Sequence, residues 1–278
     1  MFFIEILKAI AQGIVEGITE WLPVSSTGHI LLLDAFWKMN ASEAFFDVFK
    51  VVIQLGAIFA VVVLYWHKLN PFSRAKSAEE KKSTWVLWSK VAVASIPAAV
   101  VGLALDDLID GVLSTPVVIA TALIVYGIAF IVMESRKNRK TSVETVEDVT
   151  YKRALGIGAF QMLALIPGTS RSGSTILGAS LLGTSRTAAA EFSFFMAIPV
   201  MLGASGLKLA DALLLEGVRF TPEEWILLAV ATAVSFVVSL LVIRGLMAFI
   251  KKHSFKPFGW YRIALGAVVL GCVALNWL

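Results

Sequence analysis

The sequence predicts an all-α polytopic membrane protein, with six transmembrane helices and two re-entrant helical hairpins arranged as an inverted-topology repeat in a single membrane domain, residues 1–278. Three observations carry that expectation. The chain is 58% hydrophobic and only 16% charged, with a mean hydropathy of +0.82, whereas a soluble domain is nearer half apolar and a quarter charged. Its apolar residues come in long runs, unlike the short alternating segments of a membrane β-barrel. Its basic residues gather in alternate loops, the arrangement that the positive-inside rule describes.

Residues 2–10 read as an amphipathic helix near the interface. Glu5 and Lys8 interrupt this stretch and no basic segment precedes it, so it is not a cleavable signal. Long segments free of Lys, Arg, Asp and Glu follow at 51–66, 91–105, 111–133, 192–207, 225–243 and 263–278. With a few flanking residues, each reaches the roughly 20 residues that cross a bilayer. Two further apolar regions, 9–33 and 154–185, are broken by Pro and by clusters of Ser, Thr and Gly. They read as hairpins whose non-helical backbone reaches membrane depth because it lines a cavity.

Loop charge orients the chain. Six Lys/Arg fall in 67–90, six in 134–153 and four in 244–256, and these loops are expected in the cytoplasm. The alternate loops carry Asp106, Asp107 and Asp110, or Asp211, Glu216, Glu223 and Glu224. Both termini then lie outside, the first hairpin enters from the outside and the second from the inside. Each half, 1–135 and 151–278, is a hairpin followed by three spans, an odd number that turns the second half upside down. A faint internal likeness agrees: Gln54-Leu-Gly-Ala against Met201-Leu-Gly-Ala, and Glu16, Pro23, Ser26 against Gln161, Pro167, Ser170. Inverted repeats with broken helices place their site near the midplane, where the hairpin tips meet.

The net charge of +4 lies in those loops, and no basic stretch is interleaved with aromatics, so nucleic acid is not an expected partner. The single cysteine, Cys272, excludes disulfides and cysteine-based metal sites. No Walker A motif, dinucleotide fingerprint or zinc signature is present.

Two polar stretches stand out instead. EGITEWLPVSSTGH at 16–29 places Glu16 and Glu20 one helical turn apart on one face. Such a pair beside a phosphate would hold a divalent cation, magnesium or calcium, or would divide into an acid and a base. Pro23 ends that helix, and Ser25, Ser26, Thr27 and Gly28 open the next, offering free N–H groups and a positive dipole end to an anion. Ser26 is a candidate nucleophile, and His29 a candidate base or leaving-group acid. The second stretch, PGTSRSGST at 167–175, supplies positive charge through Arg171, whose guanidinium suits bidentate contact with phosphate. Ser170, Ser172, Gly173 and Thr175 add donors and room for close approach, and Gln161 is the neutral counterpart of Glu16. These are the parts of a metal-assisted phosphoryl-transfer site, and the surrounding lipid implies a phosphate carried on a membrane-resident tail.

The same two stretches resemble the signature regions of the bacitracin-resistance family of undecaprenyl-pyrophosphate phosphatases. The resemblance continues through Val52-Ile-Gln-Leu-Gly56, the Asp148–Arg153 linker and Ala190-Glu-Phe-Ser-Phe194. It implies hydrolysis of undecaprenyl pyrophosphate to the monophosphate, recycling of that carrier for cell-wall synthesis, a divalent metal, a site facing the outside of the bacterial plasma membrane, and bacitracin resistance. It also implies that the family's acidic motif falls on Glu16 and Glu20, and its essential Ser, His and Arg on Ser26, His29 and Arg171. The expected partners are the membrane, a polyprenyl pyrophosphate lipid and a second copy of the chain. The rival reading is a lipid-phosphate transporter or flippase, since inverted repeats with paired hairpins are transporter architecture.

Overall fold

Helices follow the apolar runs but overshoot them. The computed structural model describes residues 2–104, 113, 115–136 and 141–278. In chain order the helices are α1 (Phe2–Thr19), α2 (Ser26–Phe36), α3 (Glu43–Val52), α4 (Gln54–Leu64), α5 (Trp66–Leu69), α6 (Ala78–Ala104), α7 (Pro116–Ser135), α8 (Tyr151–Met162), α9 (Arg171–Leu181), α10 (Arg186–Ala210), α11 (Pro222–Ile250) and α12 (Lys256–Ala274). Among the described residues, six stretches are long and apolar enough to cross a membrane: Glu43–Leu64, Ala78–Ala104, Pro116–Ser135, Arg186–Leu215, Pro222–Ile250 and Lys256–Ala274. Each contains one of the six runs or most of it. The excess length is charged flank, such as Lys81, Lys82 and Lys90 at the start of α6. Lys and Glu are good helix formers and their long stems reach the interface, so charge does not end a helix where it ends an apolar run. The acidic loop at 106–110 lies outside the described residues.

Between 22% and 50% of each span's most apolar window is buried within the protein. The remainder presents Phe59, Val63, Val100, Leu103, Val237 and Leu241 outward, a surface only lipid covers without cost. α1 obeys the same logic in reverse of a soluble helix. Phe3, Ile4, Leu7, Ile14 and Ile18 are exposed, while Glu5, Gln12, Gly13, Glu16 and Gly17 face in. Residues 2–10 are therefore not a separate interfacial helix but the first turns of α1, because their inward polar side continues without interruption to Glu16.

The two hairpin regions form as helix pairs, α1–α2 and α8–α9, each broken by a non-helical turn. Both second helices start alike. Ser25 and Ser170 are the N-caps, both with φ of 73°, and each side chain accepts from a glycine N–H three residues on, Gly28 at 3.4 Å and Gly173 at 3.1 Å. This cap geometry pairs Ser25 with Ser170, one residue away from the Ser26–Ser170 match in the sequence. Glu16 and Gln161 then stand at the same distance before their caps.

Packing between elements repeats as well. α1 lies on α11 and α8 on α6; α4 packs against α11 and α10 against α6; α7 packs on α12. Glycine permits several of these approaches. A Cβ on Gly13 would meet the Ala231 carbonyl at 2.5 Å, and one on Gly158 the Ala94 carbonyl at 2.2 Å. The Gly56 and Gly203 of the matched Leu-Gly-Ala runs are not equivalent, however. A Cβ on Gly56 would lie 2.1 Å from the Thr232 carbonyl, whereas Gly203 faces open space.

At the end of the bundle where α4, α6 and α10 meet the linker, Lys68 bonds Glu191 at 2.5 Å and lies 3.6 Å from Glu147. Partial burial disfavours its charge, but these carboxylates outweigh that and hold its pKa above the ordinary lysine value. Lys90 donates to the Glu147 carbonyl at 2.7 Å, fixing the linker to α6.

Gly56→Ala is expected to push α4 from α11 and to cost about 1–3 kcal/mol. Gly203→Ala is expected to leave stability unchanged or slightly raised. Thermal unfolding of both variants in detergent micelles checks the pair.

Candidate active site

The two turns meet through one carboxylate. Glu20 Oε2 accepts from Ser26 Oγ at 2.9 Å, and Glu20 Oε1 pairs with Arg171 Nη2 at 3.1 Å. Ser172 Oγ donates to the backbone carbonyls of Glu20 at 2.9 Å and Leu22 at 3.2 Å. The side chains of Glu20 and Arg171 are only 6% and 9% exposed, so each charge depends on the other for compensation. The local sequence explains the placement. Pro23 closes the turn after α1, Ser25 starts α2, and Ser26 in the first turn of α2 points its hydroxyl back at Glu20.

Arg171 opens α9 and is held by further contacts to Ser193, Trp21 and the hydroxyls of its own first turn. Nη1 donates to the Ser193 carbonyl at 2.7 Å and lies 3.4 Å from Ser193 Oγ. The guanidinium lies over the Trp21 ring at 5.7 Å, and Trp21 packs edge-on against Phe194. Thr175 Oγ1 donates to the Arg171 carbonyl at 2.8 Å and lies 2.6 Å from Ser193 Oγ. Arg171 Nε, by contrast, has no partner.

Glu16 is fully buried, yet neither carboxylate oxygen has a hydrogen-bond partner, and it lies in the electrostatic range of both Glu20 and Arg171. Gln161 is buried at 2% exposure with both amide atoms unpaired. Buried polar atoms without partners are expensive, and here they are acceptors and donors suited to a ligand or to water.

The structure therefore joins Glu20, Ser26, Arg171 and Ser172 directly, with Thr175 and Ser170 alongside; Ser170 Oγ lies 3.1 Å from Ser172 Oγ. Ser25 and Gly173 act as cap and cap partner. Thr27 is exposed. His29 does not bond Ser26. Its Nδ1 lies 2.7 Å from the Ser25 carbonyl and its Nε2 2.7 Å from Tyr261 Oη, with the two rings stacked at 5.5 Å. A carbonyl only accepts, so Nδ1 carries the proton and Nε2 is the exchangeable nitrogen.

Sequence reasoning missed Trp21, Ser193, Tyr261 and Arg262. Arg262 had a readable signal: helix α12 begins at Lys256, so this arginine lies inside a span, where a charge is a functional pointer by default. An apolar crevice of about 410 Å³, bounded by Val52, Gly56, Phe59, Trp225, Leu228 and Phe236, lies between α4 and α11 and includes none of the polar site residues.

A family model described as "Bacitracin resistance protein BacA" matches residues 9–268, which include both turns and every residue of the polar site. The chain belongs to the BacA family. Relatives resemble it over almost their whole length. An "Undecaprenyl-diphosphatase" of Enterococcus faecalis (strain ATCC 700802 / V583) is 57% identical over 98% of this chain and 98% of its own. An "Undecaprenyl-diphosphatase 1" of Clostridioides difficile (strain 630) is 58% identical over 96% of each. One from Acetivibrio thermocellus is 54% identical over 96% of this chain and 97% of its own. Together with the six apolar helices, membership makes this BacA-family chain a multi-pass membrane protein.

Ser172→Ala removes the hydroxyl that ties α9 to the carbonyls of Glu20 and Leu22. It is expected to destabilise the protein by about 1–3 kcal/mol by taking the donor from the buried Glu20 carbonyl, measured as a lowered unfolding midpoint in detergent.

Proposed function

We propose that this protein is an undecaprenyl-diphosphatase, hydrolysing undecaprenyl pyrophosphate to the monophosphate and inorganic phosphate. The observation that carries the reading is Glu20 bridging Ser26 of one turn and Arg171 of the other in a buried cluster at two helix N-termini. The printed names of relatives above 50% identity agree with it.

In this reading an incoming pyrophosphate takes Arg171 through its free Nε and the N–H groups now facing Glu20. Glu20 is then free to accept the Ser26 proton. Ser26 Oγ, its proton passed to Glu20, forms a bond to the terminal phosphorus as the bridging P–O bond breaks and the lipid monophosphate leaves, and a water then cleaves the Ser26–phosphate bond to release inorganic phosphate; in the alternative, Ser26 aligns a water that attacks the phosphorus directly. The helix N-termini at Ser25 and Ser170 stabilise the charge that develops on the phosphoryl oxygens. The direct Ser26–Glu20 bond favours Glu20 as base, and His29, whose proton sits on Nδ1, serves the leaving group only as the imidazolium, with a second proton on Nε2.

A divalent cation, magnesium or calcium, fits the donor set. Glu16 offers two buried, unpartnered oxygens beside Glu20, and hard cations take oxygen ligands. Among the described residues no three His, Cys, Asp or Glu gather into a cage, so phosphate and water would complete the coordination. When bound, the ion would offset the negative charge of the pyrophosphate.

The architecture proposed around this chemistry is two halves, 1–135 and 151–278, in inverted topology, each led by a re-entrant hairpin. The matched caps at Ser25 and Ser170 and the exchanged packing of α1 on α11 and α8 on α6 support it. Loop charge supports a bacterial plasma membrane protein whose pocket opens outward, where the carrier lipid is recycled for the cell wall and bacitracin acts. The crevice between α4 and α11 suits part of an apolar tail.

Purified protein in detergent with a prenyl pyrophosphate tests the activity. Phosphate release is expected from the wild type, to fall on chelation, and to drop by about 10²–10³-fold in Arg171→Ala. Ser26→Ala is expected to lose turnover while still binding the lipid, and a wild-type rate in Ser26→Ala would remove it as nucleophile. Lipid movement across vesicles without phosphate release would favour the transporter instead.

A further inference from the structure

Helix α12 contributes a second buried guanidinium to the heart of the protein. Arg262 is 0% exposed, and among the described residues its nitrogens bond no carboxylate. Every hydrogen bond it makes goes to a backbone carbonyl: Nε to Leu123 at 3.4 Å, Nη1 to Pro23 at 3.2 Å, and Nη2 to both Gly168 and Thr169 at 2.9 Å. The guanidinium also lies 5.6 Å from the centre of the Tyr126 ring.

The identity of those carbonyls matters. Pro23 and Gly168 each lie two residues before a cap serine, Ser25 and Ser170, so they hold the same place in the two turns. One planar fork spans them, with one terminal nitrogen on each. A guanidinium is rigid, and its nitrogens keep a fixed separation, so the bridge sets how far apart the turns stand. A lysine ammonium, a point donor on a flexible stem, cannot impose that separation. The same contacts satisfy carbonyls that non-helical backbone would otherwise leave bare in an apolar interior.

We propose that Arg262 is a positioning residue. Its fork holds the two turns in register, so that Ser26 and Glu20 from one and Arg171 from the other face a single phosphoryl group. This rests on the phosphatase reading for its kinetic consequence but not for the structural one. Arg262 touches no reacting atom in this scheme. Its effect passes through Pro23 to the start of α2, and through Gly168 and Thr169 to the start of α9. A shift of one turn against the other misaligns nucleophile and phosphate, and misplacement by about 1 Å costs of the order of 10²-fold in rate.

Arg262→Lys keeps the charge and removes the fork. In purified protein, kcat with a prenyl pyrophosphate is expected to fall by about 10²-fold, with KM little changed. Nitroxide labels on Phe36→Cys and Leu163→Cys, both exposed positions, in a Cys272→Ser background report the separation of the hairpins. Their distance distribution is expected to broaden in Arg262→Lys while the helical signal is retained. If Arg262→Lys does not fold, Tyr126→Leu removes the ring beneath the guanidinium but none of its hydrogen bonds. A smaller change in the same two readouts is then expected. A wild-type kcat or an unchanged distribution in the folded variant overturns the proposal. Absence of phosphate release from the wild type would sink the phosphatase reading instead, and the label distances would still decide the clamp.

Discussion

A polypeptide that leaves its helix inside an apolar bundle must find a partner for every carbonyl and N–H it exposes there. Most of this structure answers that requirement. The two hairpin regions leave the α-helix after Thr19 and after Met162, and each turn is bounded by a serine cap and served by Arg262. The helices around the breaks come close enough to supply these partners because glycine replaces bulk at their crossings. The proposed function depends on the same feature. The two broken helices start beside one another, tied by Ser172 and Arg262, and in that proposal an anion bound there meets two positive dipole ends at once.

Charge is arranged with comparable economy. The turns gather two carboxylates, Glu16 and Glu20, and two guanidiniums, Arg171 and Arg262, in a region that water reaches poorly. Only Glu20 and Arg171 pair directly. Glu16 is left with open oxygens and Arg262 is spent on backbone. A ligand bearing several negative oxygens, with or without a cation, therefore meets groups that are already desolvated and already held in place, and little reorganisation remains at the moment of reaction.

Much of this was legible from residues alone, for identifiable reasons. Lipid demands long apolar runs, so the six spans could be located from composition, and only their ends slipped, because Lys81, Lys82 and Arg262 continue helices that hydropathy cuts short. The two polar stretches were visible because Ser, Thr, Glu and Arg are costly at such depth. What could not be read was which atom meets which. The proximity of Ser26 and His29 along the chain suggested a pair, yet α2 turns His29 outward to Tyr261 and Ser26 inward to Glu20. Contacts between residues more than a hundred positions apart, such as Arg171 with Glu20 or Arg262 with Pro23, leave no local pattern. Arg262 escapes hydropathy because it sits at the edge of an apolar run, although a helix start at Lys256 moves it well inside.

The two cap serines carry one further meaning. At φ of 73°, Ser25 and Ser170 occupy backbone space that side-chain-bearing residues visit rarely, at a cost of about 1–3 kcal/mol each. Glycine would relax both positions, but it has no hydroxyl to receive the N–H of Gly28 or Gly173. The protein thus forgoes the backbone relaxation that a glycine would return, and does so at both turns of the proposed site. Any lineage selected for heat tolerance alone would be drawn toward loosening these joints, and any lineage that must still grip a phosphate would be held back from it.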